Sequence, residues 1–121
     1  MKRRIFLIHW NELEAEEHVY RFQDEGWNVE LETKDGARAG KRILADLPDA
    51  VVIYLTRLPS HGRETAHALR SFQATRDLPI IFVDGEGEPL EKTKAKVPDA
   101  VFTSSAKLQK TLAELFKPVA A

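Results

Sequence analysis

The chain has 121 residues, 43% of them hydrophobic and 31% charged, which suits one globular domain with its own core and excludes a disordered or fibrous chain. A formal net charge of −1 gives no overall pull toward nucleic acid or anionic lipid, and no apolar run approaches the roughly 18 residues of a membrane span. There is no cysteine, so disulfides, thiolate ligands and cysteine nucleophiles are excluded; this suits a reducing cytoplasm, where the chain is expected to act as a single domain over 1–121.

Residues 5–8 form a continuous apolar run, the pattern of a strand buried on both faces. The basic start, Met1-Lys2-Arg3-Arg4, precedes a run too short for a signal peptide and reads as a solvated strand entrance. The run stops at His9-Trp10-Asn11. Asn11 can cap a helix, and Glu14 three residues on resembles a capping box. Leu13, Ala15, Val19, Tyr20 and Phe22 form an irregular apolar stripe that Gly26 ends. His18 and, later in the chain, His67 fall on helix surfaces in this reading. Residues 27–33 alternate, with Trp27, Val29 and Leu31 against Asn28, Glu30 and Glu32, which predicts an edge strand with one face partly wet.

Asp35-Gly36 turns the chain into a helix over 37–47 with Gly40, Ile43, Leu44 and Leu47 at helical spacing, stopped by Pro48. Residues 50–55 are the second continuous apolar strand. A loop over 56–62 leads to a helix face of Thr65, Ala66, Leu69 and Phe72. Leu78-Pro79 introduces a strand over 80–83, followed by the polar loop Asp84-Gly85-Glu86-Gly87-Glu88. Pro89 fits the first turn of a short helix that Pro98 ends. A strand over 100–102 follows. Ser104 or Ser105 can cap a final helix carrying Leu108, Leu112, Leu115 and Phe116, which Pro118 breaks. Five strands alternate with five helices. Right-handed crossovers then predict a three-layer α/β/α sandwich on a five-stranded parallel sheet of order 2-1-3-4-5, of the flavodoxin-like kind.

Leu58-Pro59-Ser60-His61-Gly62-Arg63-Glu64 resembles the loop after the third strand in response-regulator receiver domains. Leu78-Pro79-Ile80-Ile81 resembles their entry to the fourth strand, and Pro98-Asp99-Ala100-Val101-Phe102 their fifth strand. The similarity covers nearly the whole chain. It implies a CheY-like fold and a regulatory role, but the family's chemistry has no counterpart here. The acidic pair that holds magnesium falls on His9 and Trp10. The phosphate-accepting aspartate falls on Leu55, between Tyr54 and Thr56. The Thr or Ser after strand four is Asp84, and Thr103, Ser104 and Ser105 replace the Lys-Pro after strand five. The resemblance therefore implies a degenerate receiver that needs no magnesium or other cofactor, since Leu55 offers a hard cation no oxygen. His9-Trp10-Asn11-Glu12 likewise supplies neither a flavodoxin phosphate loop nor a dinucleotide-binding glycine turn.

Ligands bind such folds at the carboxyl ends of the strands, which makes His9, Trp10, Asn11, Thr56, Arg57, His61, Asp84 and Ser104 the candidate ligand-binding residues. Solvated loops are polar in any case, and Trp10 reads best as a plug for the vacated acidic site. A metal or hydrolytic site on His9, His61 and Asp84 is the weakest alternative, and no residue is assigned a catalytic role. Charge is uneven: the first helix carries Glu12, Glu14, Glu16, Glu17, Asp24 and Glu25, and the last two carry Lys92, Lys94, Lys96, Lys107, Lys110 and Lys117. The resemblance makes the fourth helix, fifth strand and fifth helix the expected face for a protein partner or a second copy. Lys92, Lys94, Lys96, Lys107 and Lys110 are its candidate contacts. The expected function is protein contact without phosphorylation, with a small-molecule sensor at the strand ends as the alternative.

Overall fold

The two continuous apolar runs lie side by side in the sheet. The computed structural model describes residues 3–116, and Met1, Lys2, Lys117 and Pro118 lie outside them. The elements are β1 (Arg4–Ile8), α1 (Glu12–Asp24), β2 (Asn28–Glu32), α2 (Gly36–Ala45), β3 (Ala50–Tyr54), α3 (Pro59–Ser71), β4 (Ile80–Val83), α4 (Gly87–Lys96), β5 (Val101–Thr103) and α5 (Leu108–Leu115). Short 3-10 turns over Gln73–Thr75 and Ser105–Lys107, which the periodicity did not anticipate, follow α3 and precede α5. All strands are parallel, in the order β2-β1-β3-β4-β5, as expected.

Alternate residues of the central strands feed two cores. Phe6, Ile8, Val51, Ile53 and Leu55 pack with Ala39 and Ile43 of α2 and Ala66 and Leu69 of α3. Ile5, Leu7, Val52 and Tyr54 pack with Phe22 of α1 and Leu108 and Leu112 of α5. Each fully buried side chain of this size contributes about 1.5–3 kcal/mol of transfer free energy. The register, Phe6 beside Val51 and Ile8 beside Ile53, keeps like faces together across β1 and β3.

The local signals mostly act as read. Asn11 accepts the Glu14 backbone N–H at 3.0 Å, and Gly26, at φ +92°, ends α1 in the left-handed conformation. The capping box is incomplete, because the Glu14 side chain turns to Arg57 and His9. Asp35 caps α2 by accepting from the N–H groups of Ala37 and Arg38. The loop after β3 is shorter than expected, since α3 begins at Pro59 behind a left-handed Leu58. Neither Ser104 nor Ser105 caps α5. Leu44, Leu47 and Phe72 are exposed, because Ala39 and Ile43 carry the inward face of α2 and Leu69 that of α3.

Glu32 is the buried member of the partly wet face of β2, on which Asn28 is exposed and Glu30 half-buried. Its side chain is buried, and the Arg38 guanidinium donates to it through Nε at 2.6 Å and Nη2 at 2.7 Å. The N–H groups of Lys34 and Asp35 add bonds of 2.9 and 3.1 Å. A buried carboxylate persists when paired and fully bonded, and the Arg38 bonds pull its pKa down to about 2 from 4.5. The contribution to stability is complete above pH 4.5 and is lost as pH falls through about 2. Glu32→Gln is expected to cost about 2 kcal/mol at pH 7, after discounting for the exposed Arg38, and much less near pH 2. Urea unfolding of both proteins at the two pH values measures this; an equal cost at both would remove the ion pair as the cause.

Candidate functional site

Side-chain alternation divides the strand-end edge into two halves. His9 and Tyr54 turn toward α1 and α5, while Trp10 and Leu55 turn toward α2 and α3. On the first side three rings stack. Tyr54 and His18 lie 4.1 Å apart between centroids, His9 and Tyr54 5.0 Å, and His9 and His18 5.3 Å. His9 is buried, its Nε2 is 3.4 Å from Oε2 of Glu14, and its Nδ1 has no partner. Arg57 donates to the same carboxylate through Nη2 at 2.5 Å and holds its pKa below the usual range. Asp84, left-handed at φ +59°, accepts the Ser105 N–H at 2.7 Å and the Ser105 hydroxyl. Its backbone N–H donates to the Thr103 carbonyl at 3.0 Å.

On the second side Trp10 packs against the apolar cluster and meets the His61 ring edge-on at 5.8 Å. Its indole N–H is buried without a partner. Beside the two rings Gly62 lets α3 lie close to β3, since a Cβ there would stand 2.7 Å from Ile53, while the indole nitrogen at 3.8 Å is an ordinary contact. Leu55 is buried, and a Cβ on Gly85 would lie 2.7 Å from its Cδ1. Hydrocarbon thus fills the end of β3, and Trp10 packs beside it. An open depression of about 480 Å³ lies over Trp10 and His61.

The expected edge residues therefore do not form one constellation. His61 lies with Trp10, while Asp84 lies with Ser105. Among the described residues no three His, Asp or Glu side chains gather as a metal site, so the trio of His9, His61 and Asp84 does not assemble. Asn11 is committed to its cap, Thr56 is exposed, and Ser104 accepts the Lys107 N–H through its carbonyl. His18 was misread as a surface residue. It sits three residues after the buried Ala15 and four before the buried Phe22, on the stripe that faces the sheet, and that spacing was the signal for it.

The lysines also separate. Lys92 pairs with Glu88 at 3.0 Å and Lys96 with Glu64 of α3 at 2.8 Å, so both are engaged within the chain. Lys94 lies over the Phe102 ring at 5.7 Å, and that ring stacks on Phe82. Lys107 and Lys110 are exposed. A hollow of about 290 Å³ with Leu90 and Phe102 in its wall carries Lys94 and Lys107 at its rim.

Burial lowers the pKa of His9, with the nearby His18 adding to the effect and Glu14 opposing it. Burial likewise lowers that of His18, with Arg21 adding and Asp84, Glu14 and Glu17 opposing. The folded chain holds both rings neutral, while the unfolded chain takes up protons from about pH 6.5 downward. Stability is complete above pH 6.5 and is lost as pH falls through the depressed folded values. The urea midpoint is therefore expected to fall between pH 7.5 and pH 5, and His18→Phe, which keeps a stacking ring, to flatten that fall. An unchanged slope in the variant would assign the pH dependence elsewhere.

No protein-family model and no curated protein sequence matches the chain. Solved structures do. The chemotaxis protein CheY4 of Vibrio cholerae superposes with a TM-score of 0.79 at 19% identity, covering 96% of this chain and 100% of that one. The receiver domain of HemR from Leptospira biflexa gives 0.75 at 20% identity, covering 99% and 98%. The receiver domain of the sensor histidine kinase PA1611 from Pseudomonas aeruginosa, solved with a magnesium ion coordinated in its active-site cleft, gives 0.73 at 21%, covering 94% and 97%. Identity at this level speaks to architecture, and the chain has the fold of the response-regulator receiver domains.

Proposed function

We propose that the chain is a regulatory domain that uses the receiver scaffold for protein contact in the cytoplasm, without phosphotransfer. The observation that carries this reading is Leu55. A buried isobutyl group occupies the end of β3 and touches the loop after β4, so that place offers no oxygen to a phosphoryl group or to magnesium. Trp10 packs on the same apolar cluster, and Asp84 adds negative charge where a phosphoryl group needs donors. The contact face lies on α4, β5 and α5. Its apolar hollow at Leu90 and Phe102, rimmed by Lys94 and Lys107, suits an acidic partner segment carrying one apolar side chain. Lys92, paired with Glu88 within α4, and Lys96, which ties α4 to Glu64 of α3, stand outside the contact set.

The amide NMR spectrum is expected to stay unchanged on adding magnesium and beryllofluoride, a phosphoryl mimic. Shifts centred on Leu55 and Asp84 would overturn the reading. Lys94→Glu combined with Lys107→Glu is expected to weaken a partner captured by the wild type by about tenfold or more, with His61→Ala retaining it. Retention by the double variant would move the contact face elsewhere.

A further inference from the structure

We propose that the cavity between α1 and α5 binds a free amino acid with a single-ring or branched side chain. The cavity measures about 220 Å³. A protein cavity of about 150 Å³ takes a benzene molecule, so this space matches one substituted ring or a branched aliphatic group. Phe22, Tyr54, Leu108 and the His18 ring stacked on Tyr54 form its aromatic and apolar part, and Ser105 and Gln109 add polar atoms. Tyr54 is 2% exposed. Its hydroxyl has no hydrogen-bond partner among the described residues, and Tyr54 lines the cavity. A buried phenol that opens onto a cavity without a partner is a polar group waiting for one.

The mouth carries the complementary charges. Arg21, Asp24 and Glu25 line it, and none makes an ion pair within 4.0 Å among the described residues. Arg4, Arg38, Arg42, Arg57 and Arg70 have carboxylate partners, whereas Arg21 shares its unpaired state among the described residues with Arg3, Arg63 and Arg76, and of these four Arg21 is the one beside the cavity. One guanidinium beside two carboxylates at the rim of an aromatic recess fits a zwitterion: the ligand carboxylate to Arg21, its ammonium to Asp24 and Glu25, its side chain inward. Burial lowers the pKa of His18 and so favours its neutral form, which suits an uncharged side chain within and the charged end of the ligand at the mouth. This site is separate from the α4, β5 and α5 contact face and does not depend on it.

The test uses the whole chain with L-phenylalanine and L-leucine, and with phenylacetate and phenethylamine, which each lack one charge. Calorimetric titration is expected to show one site for at least one amino acid, with both single-charge analogues weaker by about tenfold or more. Tm is expected to rise by about 8–10 °C at a hundredfold excess over Kd. Arg21→Gln, on an exposed residue, is expected to weaken binding about tenfold, and Tyr54→Phe several-fold, while the exposed Arg76→Gln leaves it unchanged. No binding of either amino acid at about 10 mM, equal binding of the analogues, or undiminished binding by Arg21→Gln would overturn the assignment.

Discussion

Side chains along a strand point alternately to opposite faces of the sheet, and β1 and β3 are buried on both faces. Every step along these strands is therefore a choice between two cores that never meet. Phe6 and Ile8 commit to α2 and α3, Ile5 and Leu7 to α1 and α5, and the helices are held only because both sets are apolar. The same alternation runs past the ends of the strands. It hands His9 and Tyr54 to one side and Trp10 and Leu55 to the other, so residues adjacent in the chain face different environments.

That rule also sets what could be read from the chain. The apolar runs of β1, β3 and β4, the Asn11 cap and the Gly26 stop fixed the number and order of elements, because each is a local signal with one physical outcome. The burial of Glu32 was not legible, because alternation in an edge strand does not reveal an arginine six residues on that can cover a buried carboxylate from the solvent side. The strand-end edge was harder still. Its residues were identified as a set, but a set on a loop rim has no internal spacing from which to predict which members touch. His61 and Asp84 looked like partners in the chain order and have different partners in space. His18 was legible, since its helical spacing from Ala15 and Phe22 placed it inward, yet the irregular stripe of α1, with Leu13 and Tyr20 both exposed, obscured that pattern.

Fold and chemistry separate cleanly here. The scaffold depends on hydrocarbon in the strands, whereas receiver phosphotransfer would depend on a few oxygens at the strand ends. Leu55 extends the apolar core of β3 one residue further toward the edge. Trp10 and Gly62 close over it, and the polar groups that remain bond to one another: Glu14 to Arg57, Asp84 to Ser105. The polar loops are thus largely occupied with holding their own shape. Beyond the buried His9 Nδ1 and Trp10 indole N–H, groups with unspent capacity among the described residues include those at the α1–α5 cavity and on the lysine-rimmed face of α4, β5 and α5.

Asp84 has a mechanical meaning beyond its contacts. Its backbone is anchored to Thr103 and its carboxylate to Ser105, so the loop after β4 is tied at three points to the chain leaving β5. The two loops form one truss. A load applied where α4 begins reaches the start of the turn before α5 without slack, and Ser105 is also a wall of the α1–α5 cavity.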